Sequence, residues 1–165
     1  MGRSGRARII NTSSVTCKMG EVGDHFFKLD PEHYRRFKAY PNSKLAVLMF
    51  TTELARRLQG RAITVNAVDP GVVNTGMITM HKWYDPLADI FFRPFIKSPE
   101  RGAMTAILLA TSDRYVNISG GFFRNKRQVG LPKTALDVEA CRKLWLQTEQ
   151  FVAELVRSKF KKGEN

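Results

Sequence analysis

Apolar and β-branched residues cluster in two short runs that flank one longer run, and this pattern predicts a strand, a helix and a second strand. The runs Ala7–Thr12 and Ala62–Val68 have the length and the Ile, Val and Thr content of buried strands. Between them, apolar side chains cover a wide arc from Tyr40 to Leu58, which is typical of a helix packed against a sheet. Such a βαβ unit has parallel strands and a right-handed crossover.

The other patterned segments extend this unit into an α/β domain. They predict a helix, a short last strand and a terminal helix, at Ser98–Thr111, Gly120–Arg124 and residues 134–159. Residues 15–39 are polar and irregular, so we expect a loop there with one helical turn near residues 30–32. Three strands and their flanking helices are the predicted architecture.

Composition is that of one globular domain spanning residues 1–165, with 43% hydrophobic and 25% charged residues. The two cysteines, Cys17 and Cys141, lack metal-ligand spacing, and Cys141 and Trp145 are expected in the core. His25 and His33 have no acidic or cysteine partner nearby, so no metal site is predicted. No apolar stretch reaches membrane-spanning length and no secretory signal is visible, which favours an intracellular location, in the cytoplasm or on an organelle membrane surface.

The net charge of +12 comes from basic residues spread along the whole chain. This distribution suits a solvated basic surface close to anionic lipid or an anionic cofactor. Nucleic-acid binding needs a concentrated basic stripe or a recognisable motif, and the sequence has neither. No nucleic-acid partner is therefore predicted, whereas membrane-surface contact and homo-oligomerisation stay open.

Tyr40 and Lys44 are four residues apart, so on a helix their side chains lie on one face, one turn apart. A free tyrosine is a poor acid or base at neutral pH, but a nearby ammonium stabilises its phenolate form. Tyr40 could then exchange a proton with a substrate alcohol or carbonyl. The alternative is that a tyrosine and a lysine at this common spacing have no chemical role.

Two further features end the predicted strands. Ser13-Ser14 follows the first strand and Asp69-Pro70-Gly71 follows the second, where proline and glycine allow a sharp turn. In open α/β sheets, ligands bind at the carboxyl edge of the strands. Each feature taken alone can also be an ordinary strand end.

Together, these residues resemble the C-terminal half of a short-chain dehydrogenase/reductase. The matching sequence segments are Asn11-Thr12-Ser13-Ser14, Tyr40-x-x-x-Lys44 followed by Leu45-Ala46, and Asp69 to Thr75. The long Ser14-to-Tyr40 insertion and the Pro-Gly-Val-Val motif look most like the retinol dehydrogenase branch. The resemblance extends from about Arg8 to about Val156. It implies a partial Rossmann-type, doubly wound parallel sheet with flanking helices, whose N-terminal βαβ half is missing.

The resemblance also implies roles for single residues. Ser14 would hydrogen-bond the substrate oxygen, Tyr40 would be the general acid/base, and Lys44 would stabilise the tyrosine phenolate and bind the nicotinamide ribose. The implied cofactor-binding set is Tyr40, Lys44, Pro70, Gly71, Val73 and Thr75. The cofactor would be NADP or NAD, with NADP favoured, and the reaction would be hydride transfer to or from an apolar alcohol or carbonyl such as a retinoid.

Residues 76–96 would form the substrate loop of such an enzyme. Their many large apolar groups suit an apolar substrate, a membrane-surface contact or simple burial of an amphipathic helix.

The departures from the family pattern lead to a second hypothesis. No Gly-x-Gly-x-x-Gly turn is present for the pyrophosphate, and the Asn-Asn-Ala-Gly segment that supplies a fourth catalytic residue is absent. A three-strand remainder would expose a sheet edge and apolar helix faces. We therefore expect weak cofactor binding and little turnover from this chain. The alternative to an enzyme is a non-catalytic remnant that binds a protein partner or a lipid surface.

Overall fold

The computed structural model describes residues 5–23, 26–27, 34–73 and 97–162. In chain order, its elements are β1 (Ala7–Thr12), a 3-10 helix (Val15–Met19), α1 (Arg36–Arg57), β2 (Ile63–Asp69), α2 (Pro99–Thr111), a 3-10 helix (Asp113–Tyr115), β3 (Phe122–Arg124), β4 (Arg127–Val129), α3 (Lys133–Leu136) and α4 (Val138–Lys162).

The strands form one sheet in the order β1-β2-β3-β4. β1 and β2 are parallel, with Ala7 opposite Ile63 and Thr12 opposite Val68. β3 adds to β2 in the same direction, from Ala67 opposite Phe122 onward. The predicted α/β architecture with parallel strands is confirmed.

The expectation of three strands is wrong, because β4 adds a fourth, antiparallel strand beside β3. The two strands are joined by Asn125 and Lys126, whose φ angles of 50° and 65° lie in the left-handed region. Two consecutive residues with positive φ are typical of the tight hairpin turn that matches strand twist. The predicted last strand at Gly120–Arg124 is confirmed as β3, but the hydrophobic pattern could not reveal β4, because three residues are too few to display a period of two.

Helices cover both faces of the sheet, and alternating strand residues supply the two cores. Ala67 and Phe122 point to the side of α1, where they join a cluster that includes Leu45, Leu48 and Met49. The next residues along the same strands, Val68 and Phe123, point to the opposite side and pack with Leu109, Tyr115 and residues of α2. Alternation of side chains along a strand explains how one sheet serves two cores.

Two described parts of the chain before Tyr40 are helical where a loop was predicted. Residues 15–19 form a 3-10 helix capped by the Ser14 side chain, and α1 begins at Arg36, four residues before the expected start. Pro41 consequently lies inside α1 and not in its first turn. A proline there lacks the N–H that would bond the carbonyl of Phe37, a residue whose side chain is 93% exposed. The missing bond therefore falls in a solvent-exposed turn.

The predicted terminal helix is divided in two. α3 ends at Leu136 and α4 begins at Val138, because the Asp137 carboxylate accepts a hydrogen bond from the Ala140 N–H at 3.1 Å and caps the second helix. Cys141 is fully buried, as expected. Trp145 stacks on Phe50 with 5.0 Å between ring centroids, which ties α4 to α1.

Several expectations lie outside the described residues. These are the helical turn near residues 30–32, the two histidines His25 and His33, and the segment 76–96. In the part of the chain that the structure describes, no helix has both the length and the apolar content that a membrane span requires. Within the same ranges, no three His, Cys, Asp or Glu side chains are grouped so that they could bind a metal ion.

Candidate active site

Tyr40 and Lys44 lie on successive turns of α1, at the carboxyl edge of the sheet. The Lys44 Nζ atom is 5.4 Å from the centroid of the Tyr40 ring, as the spacing of four residues predicts. The Tyr40 side chain is 48% exposed, so its hydroxyl is accessible to a ligand. The Lys44 ammonium donates a hydrogen bond to the Thr12 carbonyl at 3.3 Å. This bond links the helix to the last residue of β1.

A second bond joins the same two elements. The buried Ser13 hydroxyl donates to the Lys44 carbonyl at 2.8 Å, and the Ser13 N–H donates to the Val68 carbonyl of β2 at 2.8 Å. Ser14 follows directly and is half-buried, with its Oγ accepting a bond from the Thr16 N–H at 3.3 Å. The Ser14 hydroxyl hydrogen remains a donor. The structure therefore brings Ser14, Tyr40 and Lys44 to one edge.

The turn after β2 has a conformation that depends on glycine. Gly71 has a φ of 79°, which L side chains rarely adopt. Its N–H donates to the Asp69 Oδ1 atom at 2.9 Å. The other carboxylate oxygen, Oδ2, is 3.3 Å from Nε of Arg124 on β3, the strand position directly opposite Asp69. The buried Asp69 side chain thus fixes the Asp-Pro-Gly turn against the neighbouring strand.

Sequence reasoning missed two residues that contact this turn, Lys97 and Arg124. Lys97 donates from Nζ to the Pro70 carbonyl at 3.2 Å and to Asn125 Oδ1 at 2.6 Å. Arg124 pairs with Asp69, as described above. No local pattern marks Lys97, because it lies 27 positions beyond Pro70 in the chain. Only the return of the chain to this edge brings it there.

The remaining predicted cofactor-binding residues are Val73 and Thr75. Val73 forms an isolated parallel bridge with Lys97, and its side chain lies against Gly102 of α2. A Cβ at Gly102 would approach Val73 Cγ2 to 2.5 Å, so this close contact requires a glycine. Thr75 lies outside the described residues.

A buried thiol lies beneath the site. Cys17, in the 3-10 helix after Ser14, is fully buried in the α1-side core. Burial raises the pKa of the Cys17 thiol. A hydrogen bond with Ser13 lowers this pKa, but by less than burial raises it. The helix of Cys17 packs closely on α1, since a Cβ at Gly20 would lie 2.5 Å from the Pro41 carbonyl oxygen. This packing supports the position of Ser14 relative to α1.

A phenol, an ammonium and a hydroxyl at one accessible edge form a set suited to proton exchange with a ligand oxygen. Comparison with known proteins agrees with this arrangement. The family model described as "short chain dehydrogenase" matches residues 1–83, just over half of the 165 residues. The chain belongs to the short-chain dehydrogenase family.

Relatives in this family include several retinol dehydrogenases. Human "Retinol dehydrogenase 14" is 37% identical over 156 residues, which cover 92% of this chain and 46% of that protein. Human "Retinol dehydrogenase 13" is 35% identical over 155 residues, covering 90% of this chain and 46% of that protein. This short-chain dehydrogenase thus spans about half the length of these relatives.

Solved structures show the same fold. A putative uncharacterized protein from Mycobacterium paratuberculosis has a TM-score of 0.60 and 26% identity, over 88% of this chain and 50% of that chain. A short chain dehydrogenase from Salmonella enterica has a TM-score of 0.51 and 22% identity, over 76% of this chain and 44% of that one. The sheet and helices described above are therefore those of the Rossmann-type fold of this family, as the resemblance implied.

Proposed function

We propose that this chain contains the catalytic and nicotinamide-binding residues of an NAD(P)-dependent oxidoreductase that acts on an apolar alcohol or carbonyl of the retinoid class. The observation that supports it most strongly is the pairing of an exposed tyrosine with a lysine ammonium 5.4 Å from its ring, at the edge of the sheet where β1 ends and Ser14 follows. The substrate class comes from the names of the retinol dehydrogenase relatives. NADP is the favoured cofactor by the same resemblance.

In this proposal each polar group has one task. The Tyr40 Oη atom gives a proton to the carbonyl oxygen during reduction, or takes one from the alcohol during oxidation. The Ser14 hydroxyl donates a hydrogen bond to the same substrate oxygen. The Lys44 ammonium stabilises the phenolate form of Tyr40 by its positive charge. Tyr40 alone would have to change protonation state during the reaction.

The residues present fit the nicotinamide end of the cofactor. Among the described residues, the Lys44 ammonium makes one hydrogen bond, to Thr12, so two of its three N–H groups remain for ribose hydroxyls. Pro70 and Gly71 would line the nicotinamide beside them, together with Val73 and Thr75. When bound, the cofactor supplies or accepts the hydride. The sequence lacks a Gly-x-Gly-x-x-Gly turn, so these residues do not account for pyrophosphate binding.

The test is the oxidation of retinol with NADP by the natural gene product, followed by the absorbance of reduced nicotinamide. We expect Tyr40→Phe to lower kcat by roughly 100-fold to 10,000-fold, because the proton-transferring group is removed. Tyr34→Phe is the matched control, since Tyr34 is also exposed and lies outside the site. Full activity of Tyr40→Phe would contradict the proposal.

The intact mass of the natural product decides which molecule to assay. A mass well above 18.8 kDa means that the gene product contains further sequence, and the assay should use that longer protein. A mass of 18.8 kDa means that the chain acts as written, and we then expect weak cofactor binding and little turnover.

A non-catalytic role in partner binding is the second candidate, and the sheet order supports it. β1 is the edge strand of the described sheet, so no described strand pairs with the N–H and C=O groups on its outer side. Under this hypothesis Tyr40→Phe leaves binding unchanged, whereas Ile10→Pro abolishes it, because the N–H groups of Ala7 and Ser13 face β2 and that of Ile10 therefore faces outward. Retinol oxidation that depends on Tyr40 would exclude a purely non-catalytic role.

A further inference from the structure

Lys97 lies at the point where the chain returns to the sheet, directly before Ser98, the N-cap of α2. Its backbone N–H donates to the Val72 carbonyl at 2.8 Å, and its backbone forms the isolated bridge with Val73. The main chain of Lys97 is therefore held beside the residues that follow the Pro70-Gly71 turn. The Cα atom from which its side chain extends is therefore fixed in position.

The ammonium of Lys97 spans two separate parts of the carboxyl edge. It donates to the Pro70 carbonyl at 3.2 Å and to Asn125 Oδ1 at 2.6 Å. Asn125 belongs to the β3–β4 hairpin turn, where its φ is 50°. Hydrogen bonds from a charged donor are stronger than neutral ones. One charged group thus connects the turn after β2 to the hairpin.

The carbonyl and the N–H of one peptide unit are hydrogen-bonded to two different side chains. The unit between Pro70 and Gly71 contains the Pro70 carbonyl, bound by Lys97, and the Gly71 N–H, bound by Asp69 Oδ1 at 2.9 Å. Rotation of this unit by half a turn would break both bonds. The positive φ of Gly71, directly after a proline, is the conformation of a type II turn. The rotation would give Gly71 the negative φ of a type I turn.

The stem of Lys97 also covers Gly71. A Cβ at Gly71 would lie 2.9 Å from Nζ and 3.2 Å from Cε of Lys97. The lysine therefore occupies the side of the turn where any other residue would place its side chain. Glycine has the greatest backbone freedom, so its conformation here depends on such external contacts.

We propose that Lys97 is a positioning residue of the nicotinamide site: it acts through the Pro70-Gly71 peptide, which it holds in one orientation. This inference rests on the proposed function, because it assigns the turn to cofactor binding. Asp69 holds one end of the peptide and Lys97 holds the other. Without Lys97, the turn populates both orientations, and a ligand that needs one of them binds more weakly.

The test is a fluorescence titration of the natural gene product with NADPH, comparing Lys97→Met with the unchanged protein. Methionine keeps an unbranched stem and removes the charge, and Lys133→Met is the control because Lys133 is an exposed lysine at the start of α3. We expect Kd to rise about tenfold in Lys97→Met, as for the loss of a hydrogen bond from a charged group. The number of binding sites should stay unchanged.

This readout separates positioning from a merely structural role. A variant that only unfolds more readily would show fewer sites with an unchanged Kd. Asn125→Ala should raise Kd in the same direction, and the double variant should be no worse than Lys97→Met alone, because both act through the same ammonium. An unchanged Kd in Lys97→Met would overturn the proposal.

Amide hydrogen exchange at Gly71 tests the peptide contact independently of catalysis. We expect faster exchange of the Gly71 N–H in Lys97→Met and not in Lys133→Met, since the peptide can then rotate away from Asp69. If the unchanged protein fails to bind NADPH, the proposed function is lost. Faster exchange would then still support the lysine contact as the restraint on the peptide, and unchanged exchange would refute it.

Discussion

Cationic side chains bind backbone carbonyls at both ends of the parallel strands, but with different residues and for different purposes. At the carboxyl edge, Lys44 binds the Thr12 carbonyl and Lys97 binds the Pro70 carbonyl. At the amino edge, the Arg8 guanidinium donates to the carbonyls of Leu109 and Ser112, at 3.1 and 2.8 Å. The planar guanidinium of Arg8 thus provides hydrogen-bond donors for carbonyl groups at the end of α2 that have no partner within the helix. The Lys44 ammonium keeps N–H groups that a ligand can use.

The amino edge also contains a cavity of about 1040 Å³, far from the tyrosine and lysine. Several arginines line it, including Arg8 and Arg56. Arg8 is engaged with the end of α2, and Arg56 lies 2.6 Å from the buried carboxylate of Glu53. Cations near the last turns of α1 and α2 offset the negative ends of the helix dipoles. The size of a cavity is therefore a poorer guide to function here than the chemistry of the strand ends.

The strongest test of this contrast is Asp69→Ala at the carboxyl edge. Asp69 is 1% exposed, and its loss leaves the Gly71 N–H and Arg124 without their partner. We expect a loss of about 3 kcal/mol in the free energy of unfolding, together with weaker NADPH binding. Urea unfolding and the NADPH titration measure the two effects. Asp69→Asn is the matched variant, because its amide oxygen can still accept the Gly71 bond. Unchanged stability in Asp69→Ala would show that the turn does not depend on this side chain.

At the amino edge, Arg8→Met should affect stability alone. Two carbonyls at the end of α2 lose their donor, so the free energy of unfolding should fall by roughly 1–2 kcal/mol. The Kd for NADPH should stay at the value of the unchanged protein, since none of these contacts reaches the carboxyl edge. Arg61→Met, an exposed arginine of the same cavity, should change neither quantity. A weaker NADPH affinity in Arg8→Met would show that the two edges are coupled.

A third test concerns the core between the edges, at alkaline pH. Burial raises the pKa of the Cys141 thiol from 9.0 to about 11. The unfolded chain releases this proton first, so the thiol's contribution to stability is complete below about pH 9 and is lost as pH rises toward about 11. Urea unfolding across this range should show a decline that is shallower in Cys141→Ala. An equal decline in both proteins would assign the effect to other groups, such as Cys17.

The long elements could be predicted because their patterns are local. Nine of the residues from Leu45 to Leu58 are apolar in a helical arc, and β1 and β2 have the composition of buried strands, so the βαβ unit was evident. The last strand, β3, was also predicted, but β4 and its hairpin turn were not, since the hairpin depends on strand pairing and on two left-handed residues. The division at Asp137 depends on one capping bond that composition does not distinguish from an ordinary helical aspartate.

For the candidate site, the sequence by itself indicated Tyr40, Lys44 and the Pro70-Gly71 turn, because their spacing is a property of neighbouring residues. The choice of Ser14 rested on the resemblance to the short-chain dehydrogenase/reductase family. Only the tertiary structure decided how the turn is held. Asp69 meets Arg124 across two strands, and Lys97 reaches Pro70 from 27 positions further along the chain. Contacts of this kind leave no periodic trace, because they depend on where the chain returns in space and not on what precedes it in sequence.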